Sequence, residues 1–174
     1  MKDNIYLSIK KNDEVEIRNI EFPDLIKRDE SRKAFSLLFD MFNYLGLDVD
    51  IKDICYSDNG KPYIKDSTIK FNYSHSKNYI ACSVSSIEMG IDIEDDFKIS
   101  DEARLMYLPG INDDIRRTFV TKEAYCKLLG DFNDEFFKKI DVNRIKNNKY
   151  EINNMDYNLV LFYDGESKKI NIIL

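Results

Sequence analysis

The chain predicts an α+β protein made of two lobes of similar build, residues 1–86 and 87–174. Two segments carry apolar residues at helical spacing, one from Ser31 and one from about Asp114, and each is followed by strand-rich sequence. The remaining apolar runs are short, alternate with polar residues and end in Gly, Pro, Asn or Asp, as antiparallel strands do. A length of 174 residues suits one domain, or two small lobes on a shared core.

In chain order, Asn4 to Ile9 alternates as a strand, and Val15 to Ile20 is expected to answer it across the Lys10-Lys11-Asn12-Asp13 turn. From Ser31, the spacing of Ala34, Phe35, Leu38, Phe39, Phe42 and Leu45 predicts a helix that stops at Gly46. Its start is basic, with Lys27, Arg28, Arg32 and Lys33. Ile51 to Tyr56 reads as a short strand before the turn Asp58-Asn59-Gly60-Lys61-Pro62, where Gly60 is free to take positive φ. Ile69 to Tyr73 and Tyr79 to Ser85 read as further strands. Asp95 to Asn112 reads as polar and irregular. A second helix, capped by Asp113 or Asp114, runs through Ile115, Phe119, Ala124, Cys126 and Leu129 to Gly130. Phe132 to Lys139 suits a short helix. The tail reads as a strand pair, Tyr157 to Tyr163 and Lys169 to Leu174, turning at Asp164-Gly165.

Composition narrows the function. The net charge of -6 argues against general nucleic-acid binding, which needs a basic face to displace counterions. No apolar run approaches a membrane span, and Met1 to Lys10 lacks the apolar block of a signal peptide. Cys55, Cys82 and Cys126 have no metal-ligand spacing, so the expectation is reduced thiols in a cytoplasmic protein. A single histidine excludes the H-E-x-x-H zinc site and any multi-histidine site.

The chemistry concentrates between Phe71 and Glu94. This stretch holds the histidine in Ser74-His75-Ser76, then Gly90-Ile91-Asp92-Ile93-Glu94. Strand alternation turns Ile91 and Ile93 to one face and Asp92 and Glu94 to the other. Two carboxylates on one strand face can hold a hard cation such as Mg²⁺, although alone such a run is an ordinary half-buried strand with solvated acids. Glu123 and Lys127 lie four apart on one helical face, which alone is a surface ion pair worth ~0.2–0.5 kcal/mol.

Taken in order, Gly60-Lys61-Pro62, Phe71-Asn72-x-Ser74-His75-Ser76, Gly90-Ile91-Asp92-Ile93-Glu94 and Phe119-x-x-Lys122-Glu123-Ala124-x-x-Lys127 resemble the motifs of the 4'-phosphopantetheinyl transferases, in their two-lobed, surfactin-type branch. The likeness spans residues 60 to 127; outside it the chain is similar only in element order. Phe119 stands where a Trp is common in that family.

The resemblance implies a pseudo-twofold α+β fold, each lobe an antiparallel sheet packed on a long helix, with coenzyme A in the cleft between lobes. It implies transfer of phosphopantetheine to a serine of an apo acyl or peptidyl carrier protein, with release of adenosine 3',5'-bisphosphate. By position, Asp92, Glu94 and Glu123 would hold Mg²⁺. Lys61 and His75 would face the coenzyme A phosphates, notably the 3'-phosphate, with Ser74 beside them. Gly60 and Pro62 would shape the adenine edge. Lys127 would reach the phosphates and steady the departing charge. Lys27, Arg28 and Arg32 would add phosphate contacts. The favoured base for the serine proton would be Glu123, directly or through a water, with Glu94 second. The implied protein is a cytoplasmic monomer with no nucleic-acid or membrane partner. The first alternative, from another class, is a catalytically inactive coenzyme A-binding regulatory homologue; the second is a Mg²⁺-dependent phosphohydrolase acting on nucleotides.

Overall fold

In the computed structural model, which describes residues 4–111, 114–166 and 168–173, strand alternation decides the layering. The first sheet contains β1 (Asn4–Lys11), β4 (Lys70–His75), β5 (Tyr79–Ser85) and β9 (Lys169–Ile173), in the order β4-β5-β1-β9. Its pairs are antiparallel except β1 with β9, which is parallel. A second sheet has the order β6-β8-β7, from β6 (Met89–Glu94), β7 (Asn148–Asn153) and β8 (Asn158–Tyr163), all antiparallel. A small hairpin joins β2 (Ile54–Tyr56) to β3 (Pro62–Ile64).

Helix α1 (Asp29–Tyr44) covers the outer face of the first sheet, where Phe35, Leu38 and Phe42 meet Phe71, Ile80, Cys82 and Val84. The opposite face turns Ile5, Leu7 and Ala81 toward Met89, Ile91, Ile93, Leu159 and Leu161 of the second sheet. Helix α3 (Ile115–Leu129) closes the stack, packing Val120, Ala124 and Leu128 on Val160 and Phe162. The order is therefore helix, sheet, sheet, helix. β1, β5 and β8 each serve two cores because their side chains alternate. Two short helices, α2 (Asp101–Tyr107) and α4 (Asp134–Lys139), pack beside α3. This is an α+β architecture, and no helix among the described residues is long and apolar enough to cross a membrane.

Helix α1 and its stop at Gly46, with φ of +66°, match the sequence reading, as do α3 with Gly130, α4, β5 and the Gly60 turn. Several expectations need correction. Val15 to Ile20 is not a strand. Both edges of β1 are already taken by β5 and β9, and the turn lacks the glycine that favours a tight hairpin. The segment runs under α1 instead: Val15 is buried, the Arg18 N–H donates to Ser36 Oγ, and Arg18 pairs with Asp40 at 3.0 Å. Ile51–Asp53 is a 3-10 turn leading into β2.

The stretch after Asp95 is not all irregular, because α2 begins on a Ser100 cap whose Oγ accepts the Ala103 N–H, followed by Asp101 and Glu102. The tail strands do not pair with each other. β8 lies in the second sheet between β6 and β7, whereas β9 joins β1 in the first. β7 was not foreseen; Tyr150 and Ile152 are its only inward apolar side chains, too few for a clear alternation. Asp114 is the α3 cap residue, but in a left-handed conformation with no side-chain cap bond; its carboxylate lies 3.5 Å from Arg117. Asp113, Asn112 and Leu174 lie outside the described residues.

Candidate functional site

Where β4 meets β6, side chains do the joining. On β4, alternation turns Phe71 and Tyr73 toward α1 and sends Asn72 and Ser74 the other way. Asn72 Oδ1 accepts the Ile91 N–H at 3.0 Å and Ser74 Oγ accepts the Ile93 N–H at 3.4 Å. The spacing of two in Asn72-x-Ser74 thus matches the spacing of two in Ile91-x-Ile93. It sets the register of β6 against β4 and satisfies buried amides that have no strand partner on that side.

Gly90 brings the helix down onto this strand. A Cβ there would lie 2.1 Å from Leu128 N and 2.2 Å from Ala124 O, so the α3 backbone rests where a side chain would be. Two residues on, on the same strand face, Asp92 lies beneath Lys127.

The result is a polar cluster drawn from three elements, with Ser74 and Asp92 buried and Glu94, Glu123 and Lys127 half-buried. Lys127 Nζ donates to Asp92 Oδ1 at 2.6 Å and to Ser74 Oγ at 3.0 Å, and Ser74 Oγ donates to Asp92 Oδ1 at 2.7 Å. Asp92 is 1% exposed. Glu94 and Glu123 complete the cluster. Burial, then the Asp92 and Glu123 charges, push the Glu94 carboxyl up to about 8 against the pull of Lys127. Burial and Asp92 likewise push Glu123 up to about 7. On Lys127, burial disfavours the charge, but Asp92 and Glu123 outweigh it and hold the ammonium above its usual range.

Both glutamates stand above their ordinary 4.5 in the folded state, so the stability they contribute is fully present below that value. It is lost as pH rises toward about 7 to 8. The melting temperature of the metal-free protein should fall between about pH 5 and about pH 8, and Glu94→Gln should flatten that fall. A wild-type melting temperature that rises across this range would contradict the clustering of the acids.

The donor set suits the Mg²⁺ that the resemblance implies. It offers carboxylate oxygens alone, and Asp92 Oδ2 is buried with no hydrogen-bond partner. Asp92 and Glu123 are close enough for a proton to bridge them; with both ionised, no donor reaches Oδ2. As the side chains stand, no group of three or more His, Cys, Asp or Glu among the described residues is spaced to hold an ion. Lys127 and Ser74 engage the other Asp92 oxygen.

Glu123 also lines a cavity of about 320 Å³, walled by Tyr107, Phe119, Cys126, Phe132, Asp134 and Phe137. Phe119 is packed between Phe97 and Phe137, with ring centroids at 4.8 and 5.5 Å. His75 ends β4 with Nε2 3.1 Å from Ser31 Oγ in the first turn of α1. Burial and nearby Lys127 lower its pKa, opposed by Glu30 and Asp92. Lys27 and Arg28 are exposed at that helix start, whereas Arg32 stacks over Phe22 and Lys33 donates to the Asn12 carbonyl.

The chain therefore brings Ser74, Asp92, Glu94, Glu123 and Lys127 together, with His75 at the end of the same strand as Ser74. Gly60, Lys61 and Pro62 are placed differently. Gly60 is an exposed turn residue with φ of +81°, and Pro62 opens β3. Lys61 Nζ is engaged by Glu88 at 2.9 Å and by the Leu128 carbonyl at 2.8 Å, at the end of α3. Asn72 and Gly90 were quoted in the motifs without a role. Sequence reasoning missed both; the matched two-residue spacing of β4 and β6 and the one glycine inside β6 are the signals that mark them. The chain matches no protein-family model, and no curated protein matches it, so its function is argued from these residues.

Proposed function

We propose that the chain transfers the 4'-phosphopantetheine group of coenzyme A to a serine of an apo acyl or peptidyl carrier protein, with Mg²⁺, releasing adenosine 3',5'-bisphosphate. One observation carries this reading: Lys127 and Ser74 close on Asp92, with Glu123 beside it and the Glu94 charge within electrostatic reach, from β4, β6 and α3 in the order of the motifs. Topology supports the two-lobed form. β1, α1 and the β4–β5 hairpin pair with β5 in the middle; β6, α3 and the β7–β8 hairpin pair with β8 in the middle. This is the repeat expected of two pseudo-twofold lobes.

In the reaction, the serine oxygen bonds to the phosphorus that carries pantetheine, and the bond from that phosphorus to the bridging oxygen breaks. Asp92, Glu94 and Glu123 would hold Mg²⁺, which when bound neutralises charge on the diphosphate oxygens. Glu123, directly or through a water, would take the serine proton as a carboxylate beside the metal, with Glu94 second. Lys127 places a positive charge on the same side as the leaving oxygen. The exposed Arg28, whose charge reaches His75, and the exposed Lys27 before it suit a terminal phosphate, and the apolar cavity beside Glu123 suits the uncharged pantetheine arm.

The test is the intact mass of a panel of apo carriers incubated with coenzyme A, Mg²⁺ and this protein. Gain of one phosphopantetheine on any carrier supports transfer. Binding of coenzyme A with no modified carrier supports the second reading, an inactive coenzyme A-binding homologue. That reading draws on the ion pair that engages Asp92 Oδ1.

A further inference from the structure

Lys122 precedes Glu123 on α3, yet its side chain does something different. It is 4% exposed, and no ion pair to it is formed among the described residues. Its Nζ donates to the Tyr107 carbonyl at 2.9 Å and to the Phe137 carbonyl at 3.2 Å, and lies 5.3 Å from the centre of the Phe137 ring. Tyr107 is the last residue of α2, and Phe137 lies in the final turn of α4. The ammonium thus meets the negative ends of two short helices, where a cation is favoured. It also satisfies the Tyr107 carbonyl, while the Phe137 carbonyl accepts from the Ile140 N–H at 3.3 Å as well. Tyr107 and Phe137 are themselves walls of the cavity beside Glu123 and contact each other at 5.8 Å between centroids.

We propose that Lys122 is a positioning residue: it clamps α2 and α4 to α3 and so sets the shape of the apolar cavity next to Glu123, without touching phosphate. A seven-residue and a six-residue helix have little stability of their own, so two charge-assisted hydrogen bonds from one rigid helix matter to both. The choice of lysine follows from reach. A four-carbon stem crosses the aromatic layer and delivers three donors to one point.

The role of the cavity in binding rests on the transferase reading; the clamp does not, and the experiment separates them. Lys122→Met keeps the stem and removes the donors. Amide hydrogen exchange over 101–107 and 134–139 should accelerate ~10–100-fold, while exchange in β5 and β8 stays unchanged. Affinity for coenzyme A should fall ~tenfold, and affinity for adenosine 3',5'-bisphosphate, which lacks the arm, should not change. Lys122→Arg should restore most of both. Unchanged exchange in the two helices overturns the clamp, and equal loss for both ligands assigns Lys122 to phosphate and overturns the proposal. If the wild type binds neither ligand, the transferase reading fails and the exchange result alone decides the clamp. Should Lys122→Met not fold, Lys122→Gln, which keeps an amide donor, carries the same comparisons.

Discussion

Asp92→Asn should reduce transfer by ~10²–10³-fold or more while the protein still folds. The side chain keeps its shape and can still hydrogen-bond Ser74, so the change removes one charge from the centre of the cluster. Two effects then separate. Breaking a buried ion pair by removing one partner costs ~3–5 kcal/mol, because the other charge stays buried. Here the loss should lie near the lower end, about 3 kcal/mol, because Glu94 and Glu123 lose a repelling neighbour and Lys127 retains them. Urea unfolding and the carrier mass assay measure the two effects independently. Transfer within about tenfold of wild type would remove Asp92 from the chemistry.

Gly90→Ala should be as damaging through geometry alone. One methyl group would sit 2.1 Å from the Leu128 nitrogen and 2.2 Å from the Ala124 oxygen, both backbone atoms of α3. No rotamer relieves this; the helix has to lift from β6. Overpacking ordinarily costs ~1–3 kcal/mol, and contact with helix backbone places this substitution at or above the top of that range. Lifting α3 also carries Glu123 and Lys127 away from Asp92, so any folded fraction should be inactive. An alanine variant within about 1 kcal/mol of wild type by urea unfolding, with transfer intact, would show that the close approach of β6 and α3 is not needed.

Much of this was legible in the sequence, for identifiable reasons. α1 and α3 are long and carry wide apolar stripes, so periodicity located them and glycine marked their ends. The alternation of Ile91-Asp92-Ile93-Glu94 correctly sent the acids away from the inter-sheet core. What escaped was non-local. The competition between Val15–Ile20 and the distant β5 and β9 for the edges of β1 leaves no mark in the local pattern. β9 crosses from the second half of the chain into the first sheet on the same terms. The site divides in the same way. Asp92, Glu94, Glu123, Lys127 and Ser74 converge because strand and helix periodicities place them, whereas Lys61 belongs to a turn whose docking depends on Glu88 and the end of α3. Nothing around Lys122 in the sequence distinguishes a clamp from a ligand contact; its two partners are backbone carbonyls on other helices.

The most direct test of the account is a calorimetric titration with Mn²⁺, a spectroscopically visible stand-in for Mg²⁺, in the presence of coenzyme A. The account predicts one ion bound per chain in the wild type, with binding lost in Asp92→Asn and weakened in Glu94→Gln and Glu123→Gln. Coenzyme A bound with no ion, or an ion bound equally well by Asp92→Asn, would contradict it.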